Sequence, residues 1–245
     1  MRRSSLLRRT KDGRPRLMVV SLKKTRRGCL VRAQSSISQR INYPRCYSRS
    51  TFLPRWTWFT DYTGPGNRIW IAWDDTMLGV DVLDVGQQYI HCRINIRCAH
   101  LSVLATIVYG PNDSIVRREL WQHLGMVSRS ISDEPWVVGC DFNTVLDMSK
   151  VCGASADIHV SMSEFRDCIL DTGLIHLSMQ GELFTWHNCS EGDRSLWKRL
   201  DRLLVNDSWL NQWLNSYYQS LNARTSDHSP LLIRGDDNTN YASIF

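Results

Sequence analysis

At 245 residues, with 42% apolar content and ten tryptophans, the chain can bury the core of one large or two small domains, which excludes general disorder. No apolar run reaches the length of a membrane span, and Met1-Arg2-Arg3 leads into no hydrophobic signal core. The net charge of +6 is unevenly spread: residues 1–55 hold sixteen Lys and Arg against the single acid Asp12, a net +15, so the remainder carries −9.

The eight cysteines form no CxxC pair, which suits reduced thiols in an intracellular protein. Residues 1–51 have short apolar patches such as Leu17-Met18-Val19-Val20 but no sustained period, and read as a basic arm of low order. Three readings of this arm stay open: a binder of nucleic-acid backbone, an organelle transit segment, or unrelated sequence joined to a truncated domain.

From Trp56 the texture changes, and residues 52–234 read as one domain followed by a polar, frayed tail over 235–245. Strands are expected over Arg68–Asp74, Val80–Val85 and Tyr89–Ile94, the last two forming a meander around Gly86. Leu101–Tyr109 is nearly all apolar, as in a strand covered on both faces, and it runs into the turn Tyr109-Gly110-Pro111-Asn112. Arg117–Val127 has helical spacing with Leu120, Trp121, Leu124 and Val127 on one side. After the strand Trp136–Asn143, a second helix spans Ser163–Leu170, burying Phe165, Ile169 and Leu170 and ending at Gly173. Leu183–Trp186 and Leu196–Val205 read as strands, Asn206 caps a short helix, and Pro230–Ile233 is the last strand.

Chemistry gathers at strand ends. In Gly139-Cys140-Asp141-Phe142-Asn143, alternation points Asp141 and Asn143 one way and Phe142 back into the protein. The carboxylate can take a proton or hold a cation, and the amide can donate to a developing oxyanion. Taken alone this is an Asx-rich turn closing a strand. Polar strand ends recur, however, at Tyr109/Asn112, Asp201 and Asp227/His228. Together they supply what a phosphodiesterase needs: an oriented histidine, a carboxylate to activate water, donors for the phosphorane charge and acids for a divalent cation.

The ordered motifs resemble the endonuclease/exonuclease/phosphatase superfamily, the DNase I-like fold. Gly139–Asn143 is similar to its G-D-[FL]-N motif, with an extra residue between Gly and Asp or with Cys140 in place of a second glycine. Ser226-Asp227-His228-Ser229-Pro230 resembles S-D-H-x-P, Tyr109-x-Pro111-Asn112 resembles Y-x-P-N, and Arg199-Leu200-Asp201 resembles R-[LI]-D. The text from Gly181 to Asn188 and around Leu203–Trp209 is similar to endonuclease domains of plant LINE-type retrotransposons.

The resemblance implies an α/β fold of the α+β type, a four-layer sandwich of two mixed sheets with helices outside. By the same resemblance His228 contacts the scissile phosphate, Asp227 orients it and binds cation, and Asp201 supports it. Asp141 aligns and deprotonates water and binds cation, while Asn143, Tyr109 and Asn112 hold phosphate oxygens. Trp186 and Arg199 are the expected substrate contacts. The implied cofactor is Mg²⁺ or Mn²⁺, the implied partner is DNA, and the nucleus is the expected compartment, with no membrane or obligate protein partner. The resemblance has one gap. The family opens with strands ending in Asn and in a metal-binding Glu, and residues 1–55 contain no glutamate. The domain therefore reads as lacking its first strands, with weakened cation binding and impaired hydrolysis. A non-catalytic nucleic-acid binder and a phosphatase of small phosphoesters are the alternatives.

Overall fold

The computed structural model describes residues 56–60, 69–153, 159–223 and 226–234, with the strand backbone of 16–21, 24–25, 28–29 and 243–244. Three strands lie in the basic segment: β1 (Arg16–Ser21), β2 (Lys24–Thr25) and β3 (Gly28–Cys29). They are followed by β4 (Thr57–Thr60) and β5 (Ile69–Trp73). β1 pairs antiparallel with β5 from Leu17↔Trp73 to Ser21↔Ile69. Arg16–Ser21, which the sequence placed in the basic arm of low order, thus contributes a strand between β18 and β5. The rest of the arm reading lies outside the described residues.

β6 (Leu78–Val85), β7 (Tyr89–Ile96) and β8 (Leu101–Tyr109) form the expected meander, turning where Gly86 N–H donates to the Tyr89 carbonyl at 3.0 Å. Helix α1 (Ser114–Ser130) then starts on Asp113, whose carboxylate accepts from Ile115 N and Val116 N. It crosses over to β9 (Trp136–Asp141), which lies parallel to β8. β10 (Val151–Cys152) and helix α2 (His159–Thr172) come next. α2 buries Met162, Phe165 and Cys168, while Leu170 is 77% exposed, which corrects the expected face. The helix begins four residues before the expected start, so Met162 sets the phase of the buried stripe. Gly173 ends it at φ +65°, a conformation glycine adopts without a Cβ clash.

β11 (Ile175–His176), β12 (Ser178–Gly181), β13 (Trp186–His187), β14 (Trp197–Lys198) and β15 (Asp201–Val205) follow. The single strand expected over 196–205 is broken at Arg199-Leu200. There Thr185 Oγ1 accepts from both Leu200 N at 3.0 Å and Asp201 N at 2.9 Å, so the chain leaves β13 and joins β9. Asn206 caps α3 (Asp207–Gln212), and β16 (Tyr217–Ser220), β17 (Leu231–Arg234) and β18 (Ser243–Ile244) complete the order. β18 pairs with β1, so Ser243 and Ile244 leave the tail that was expected to fray.

The main sheet is mixed and six-stranded, ordered β11-β15-β9-β8-β7-β6. One face packs under α1 and α2 through Leu104, Leu120, Leu124, Trp136, Phe142 and Phe165. The other packs against β5, β16 and β17, with Ile71, Ile94, Ile107, Leu203, Tyr218 and Ile233 between the layers. Each such side chain, buried completely, contributes roughly 1.5–3 kcal/mol. Both longer helices lie on the outer face of the six-stranded sheet.

Candidate active site

Strand register assembles the site. Tyr109 of β8 is paired with Asp141 of β9, and Asp141 with Asp201 of β15, so three polar side chains from distant sequence stand in one row across adjacent strands. The strands meet closely: a Cβ on Gly139 would lie 2.0 Å from Leu203 Cδ2 and 3.0 Å from the Arg202 carbonyl. A side chain at 139 would have to displace Leu203 from its packing against β9 and would crowd the Arg202 carbonyl.

His228 reaches this row from the segment before β17. Its N–H is turned by Ser226 Oγ at 3.0 Å, and the segment is laced to the β13 region by His187 N to the Asp227 carbonyl at 2.9 Å and Ser229 N to the Thr185 carbonyl at 2.7 Å. An isolated bridge joins Trp186 to His228 and puts their rings 6.5 Å apart.

His228 Nδ1 lies 2.8 Å from Asp201 Oδ2, and a carboxylate only accepts, so Nδ1 carries the proton. Nε2 then faces Asp141 Oδ2 at 3.9 Å. Asp141 is 1% exposed and Asp201 7%. Both Asp141 oxygens are oriented by one neighbour: Asn143 N donates to Oδ1 at 2.9 Å and Asn143 Nδ2 to Oδ2 at 3.2 Å. The same Nδ2 donates to the Gly110 carbonyl at 2.6 Å, and Gly110 N donates back to the Asp141 carbonyl at 2.8 Å. Asn143 sits at φ +51°, in the left-handed region where asparagine is among the better tolerated residues.

Cys140 is held at φ +100°, where a side chain is strained and glycine is not. That conformation favours the reading in which cysteine stands in place of a glycine over the reading with an inserted residue. Burial pushes its thiol up, and the Asp201 and Asp141 charges add to the shift, so Cys140 is no thiolate nucleophile.

The remaining sequence candidates are placed less centrally. Tyr109 is half-buried, and Asn112 is exposed beside the start of α1. Asp227 is half-buried and lies outside the Asp141–Asp201–His228 cluster; Ser226 Oγ lies 3.5 Å from its Oδ1. His228 Nδ1 donates its hydrogen bond to Asp201. Trp186 is half-buried against the histidine, while Arg199 braces the second layer, its Nη2 donating to Tyr218 Oη at 2.7 Å. Thr185, Ser226 and Arg117 are the supporting residues that the sequence reading passed over. Ser226 had a signal as the first residue of the S-D-H-x-P-like motif, and Arg117 as a charge on the buried stripe Arg117, Leu120, Leu124, Val127.

Asp141, Asp201 and His228 each offer a ligand atom, all within 4.8 Å of one another. Two carboxylate oxygens and an imidazole nitrogen fit a divalent cation that keeps several waters.

No protein-family model matches the sequence, and no curated protein does. Among solved structures, the endonuclease domain of TRAS1, a telomere-specific non-LTR retrotransposon, matches with a TM-score of 0.60 at 16% identity, covering 75% of this chain and 81% of that one. The fold is the DNase I-like α/β fold. The Xenopus laevis APE2 catalytic domain matches at 12% identity and a TM-score of 0.49, covering 74% of each chain. An endonuclease/exonuclease/phosphatase from Bacteroides vulgatus matches at 11% and 0.49, covering 76% of this chain and 79% of its own. On the DNase I-like fold of this chain, the row Tyr109–Asp141–Asp201 and His228 stand together at one end of the six-stranded sheet.

Proposed function

We propose that the chain is a phosphodiester hydrolase domain of endonuclease type, related to LINE-type retroelement nucleases, that acts on DNA at a reduced rate. The observation that carries this reading is the Asp201–His228–Asp141 array, an imidazole fixed in one tautomer between two buried carboxylates. Asp141 receives the proton of the attacking water, its oxygens aimed by Asn143. His228, held by Asp201, sits where it can contact the scissile phosphate and move a proton at Nε2. The Tyr109 phenol, with Asn112 at the rim, would donate to phosphate oxygens, while both amide hydrogens of Asn143 go to the Gly110 carbonyl and Asp141 Oδ2, so Asn143 acts on the phosphate through the aim of Asp141. Held by the Asp141 and Asp201 carboxylates, Mg²⁺ or Mn²⁺ would supply electrophilic stabilisation of the developing charge.

We infer the reduced rate from residues 1–55, which contain no glutamate to match the early metal-binding Glu that the family resemblance implies. A site with fewer carboxylates holds the cation more weakly, and the charge it would neutralise costs several kcal/mol. Hydrolysis of duplex DNA and of a soluble phosphomonoester, measured side by side, tests the substrate class. The account expects turnover of DNA alone; turnover of the monoester alone would make the chain a small-molecule phosphatase.

A second reading rests on the sixteen Lys and Arg of residues 1–55. In it the domain is a scaffold and the basic segment grips DNA in the nucleus through counterion release. Steeply salt-dependent binding that vanishes on deleting residues 1–50, with no hydrolysis by the full chain, favours that reading.

A further inference from the structure

Arg117 stands in the first turn of α1, a place that disfavours a cation. The helix N-terminus carries partial positive charge, against which the Asp113 cap is the acidic residue on the same element. The side chain is also only 2% exposed, and a buried guanidinium is costly unless it is hydrogen-bonded. Its bonds explain the placement. Nη1 donates to the Asn143 carbonyl at 2.6 Å and to the Pro111 carbonyl at 3.1 Å, and Nη2 donates to Ser161 Oγ at 2.8 Å. Ser161 Oγ in turn lies 2.8 Å from Thr144 Oγ1. One planar group therefore joins the loop after β8, the loop after β9 and helix α2.

We propose that Arg117 is a positioning residue of the site: it fixes the Asn143 carbonyl, and through the Asn143 peptide and amide it sets the direction of the Asp141 carboxylate. The two loops it joins already touch along their backbones. A Cβ on Gly110 would lie 2.6 Å from the Phe142 carbonyl, and Gly110 exchanges bonds with both Asp141 and Asn143. On the outer side of that contact, the carbonyls of Pro111 and Asn143 converge on the single guanidinium. Without it both lose their donor, and the Asn143 peptide, held at φ +51°, is released to turn. Burial pushes the Arg117 guanidinium down, and the charges of Asp141, Glu164 and Asp113 push it back up. Lysine cannot substitute, because an ammonium lacks the planar fork that reaches three acceptors in fixed directions.

The structural part of this proposal is independent of the hydrolase reading; only its kinetic part rests on it. Hydrogen exchange on the full chain tests the structural part, comparing wild type with Arg117→Met and Arg117→Lys. The amides of Gly110 and Asn143 should exchange about tenfold faster or more in both variants, while those of Ile107, Val138 and Leu204 stay unchanged. No change at Gly110 and Asn143, or equal acceleration at all five amides, overturns the proposal. The lysine variant keeps the test available if the methionine variant does not fold. For DNA hydrolysis, Arg117→Lys should lower kcat about tenfold with KM unmoved, and added guanidinium should restore part of the rate in Arg117→Ala. A rise in KM alone overturns the kinetic part. Absence of hydrolysis by wild type tells against the hydrolase reading, and the exchange result still decides the positioning claim.

Discussion

His228 Nδ1 is bonded to Asp201 Oδ2 at 2.8 Å, and the strand that supplies Asp201 lies beside the one that supplies Asp141. Two carboxylates therefore face the two nitrogens of one imidazole, at 2.8 Å and 3.9 Å. The near one sets the tautomer, and the far one is placed to receive a proton that passes the open nitrogen.

Replacing Asp201 by asparagine removes the charge that orients the ring while keeping its size. Hydrolysis of DNA should fall about 10²-fold or more, as for loss of a general acid–base group. His228→Ala should fall by a similar amount, and the double variant should be little worse than either single one, because the pair acts as a unit. Single-turnover rates on one duplex substrate check this. Additive losses would show that the two residues act separately.

Backbone strain at Cys140 gives a stability prediction. With φ at +100°, Cys140→Gly should stay within about 1 kcal/mol of wild type although it removes a side chain packed on the inter-sheet core. Cys140→Val, branched at Cβ, should lose roughly 2–3 kcal/mol. Urea denaturation midpoints measure both. A glycine variant less stable than the valine variant would contradict the assigned conformation.

A second polar cluster lies under α1, away from the site. His123 stacks on Tyr89 with ring centres 3.4 Å apart and has Asp84 Oδ2 at 3.7 Å from Nδ1; His91 lies 6.4 Å away, bonded to Thr106 Oγ1. Burial holds the His123 pKa down at about 4 from an ordinary 6.5, against the pull of the Asp84 charge. The folded state thus binds fewer protons than the unfolded state between those values. Stability is fully present above about pH 6.5 and is lost as pH falls toward about 4. Between pH 7 and 5 this group should account for about 2 kcal/mol. His123→Phe, which keeps the stack, should flatten that part of the curve. An unchanged pH slope in the variant would show that His123 is not the cause.

The strands, α1 and the four polar strand ends were legible because apolar runs and turn residues bound them. What was hidden is mostly register. Asp201 lay inside an uninterrupted run from Leu196 to Val205; the bonds of Leu200 N and Asp201 N to Thr185 Oγ1, with Phe142 N donating to the Leu200 carbonyl, break that run and bring Asp201 beside Asp141. Ser178–Gly181 and Tyr217–Ser220 are strands with mixed polarity, paired to each other, and a single segment of that kind shows no period. The role of Arg117 depends on two carbonyls converging from separate loops, which no spacing in sequence encodes.

The cation follows from the same geometry. Asp141→Asn should weaken Mn²⁺ binding about tenfold or more in a direct titration, since it removes one of three clustered ligands. Asp227→Asn should have a smaller effect, because Asp227 lies outside that cluster. Equal losses in the two variants would place the cation between the two aspartates instead.

The most direct test of the account is nicking of supercoiled plasmid by the full chain across a titration of Mg²⁺ and Mn²⁺, with His228→Ala beside it. The account predicts slow nicking that continues to rise into millimolar metal and is lost in the variant. Fast nicking that saturates at micromolar Mg²⁺ would contradict the weak cation site, and nicking unchanged in His228→Ala would contradict the site itself.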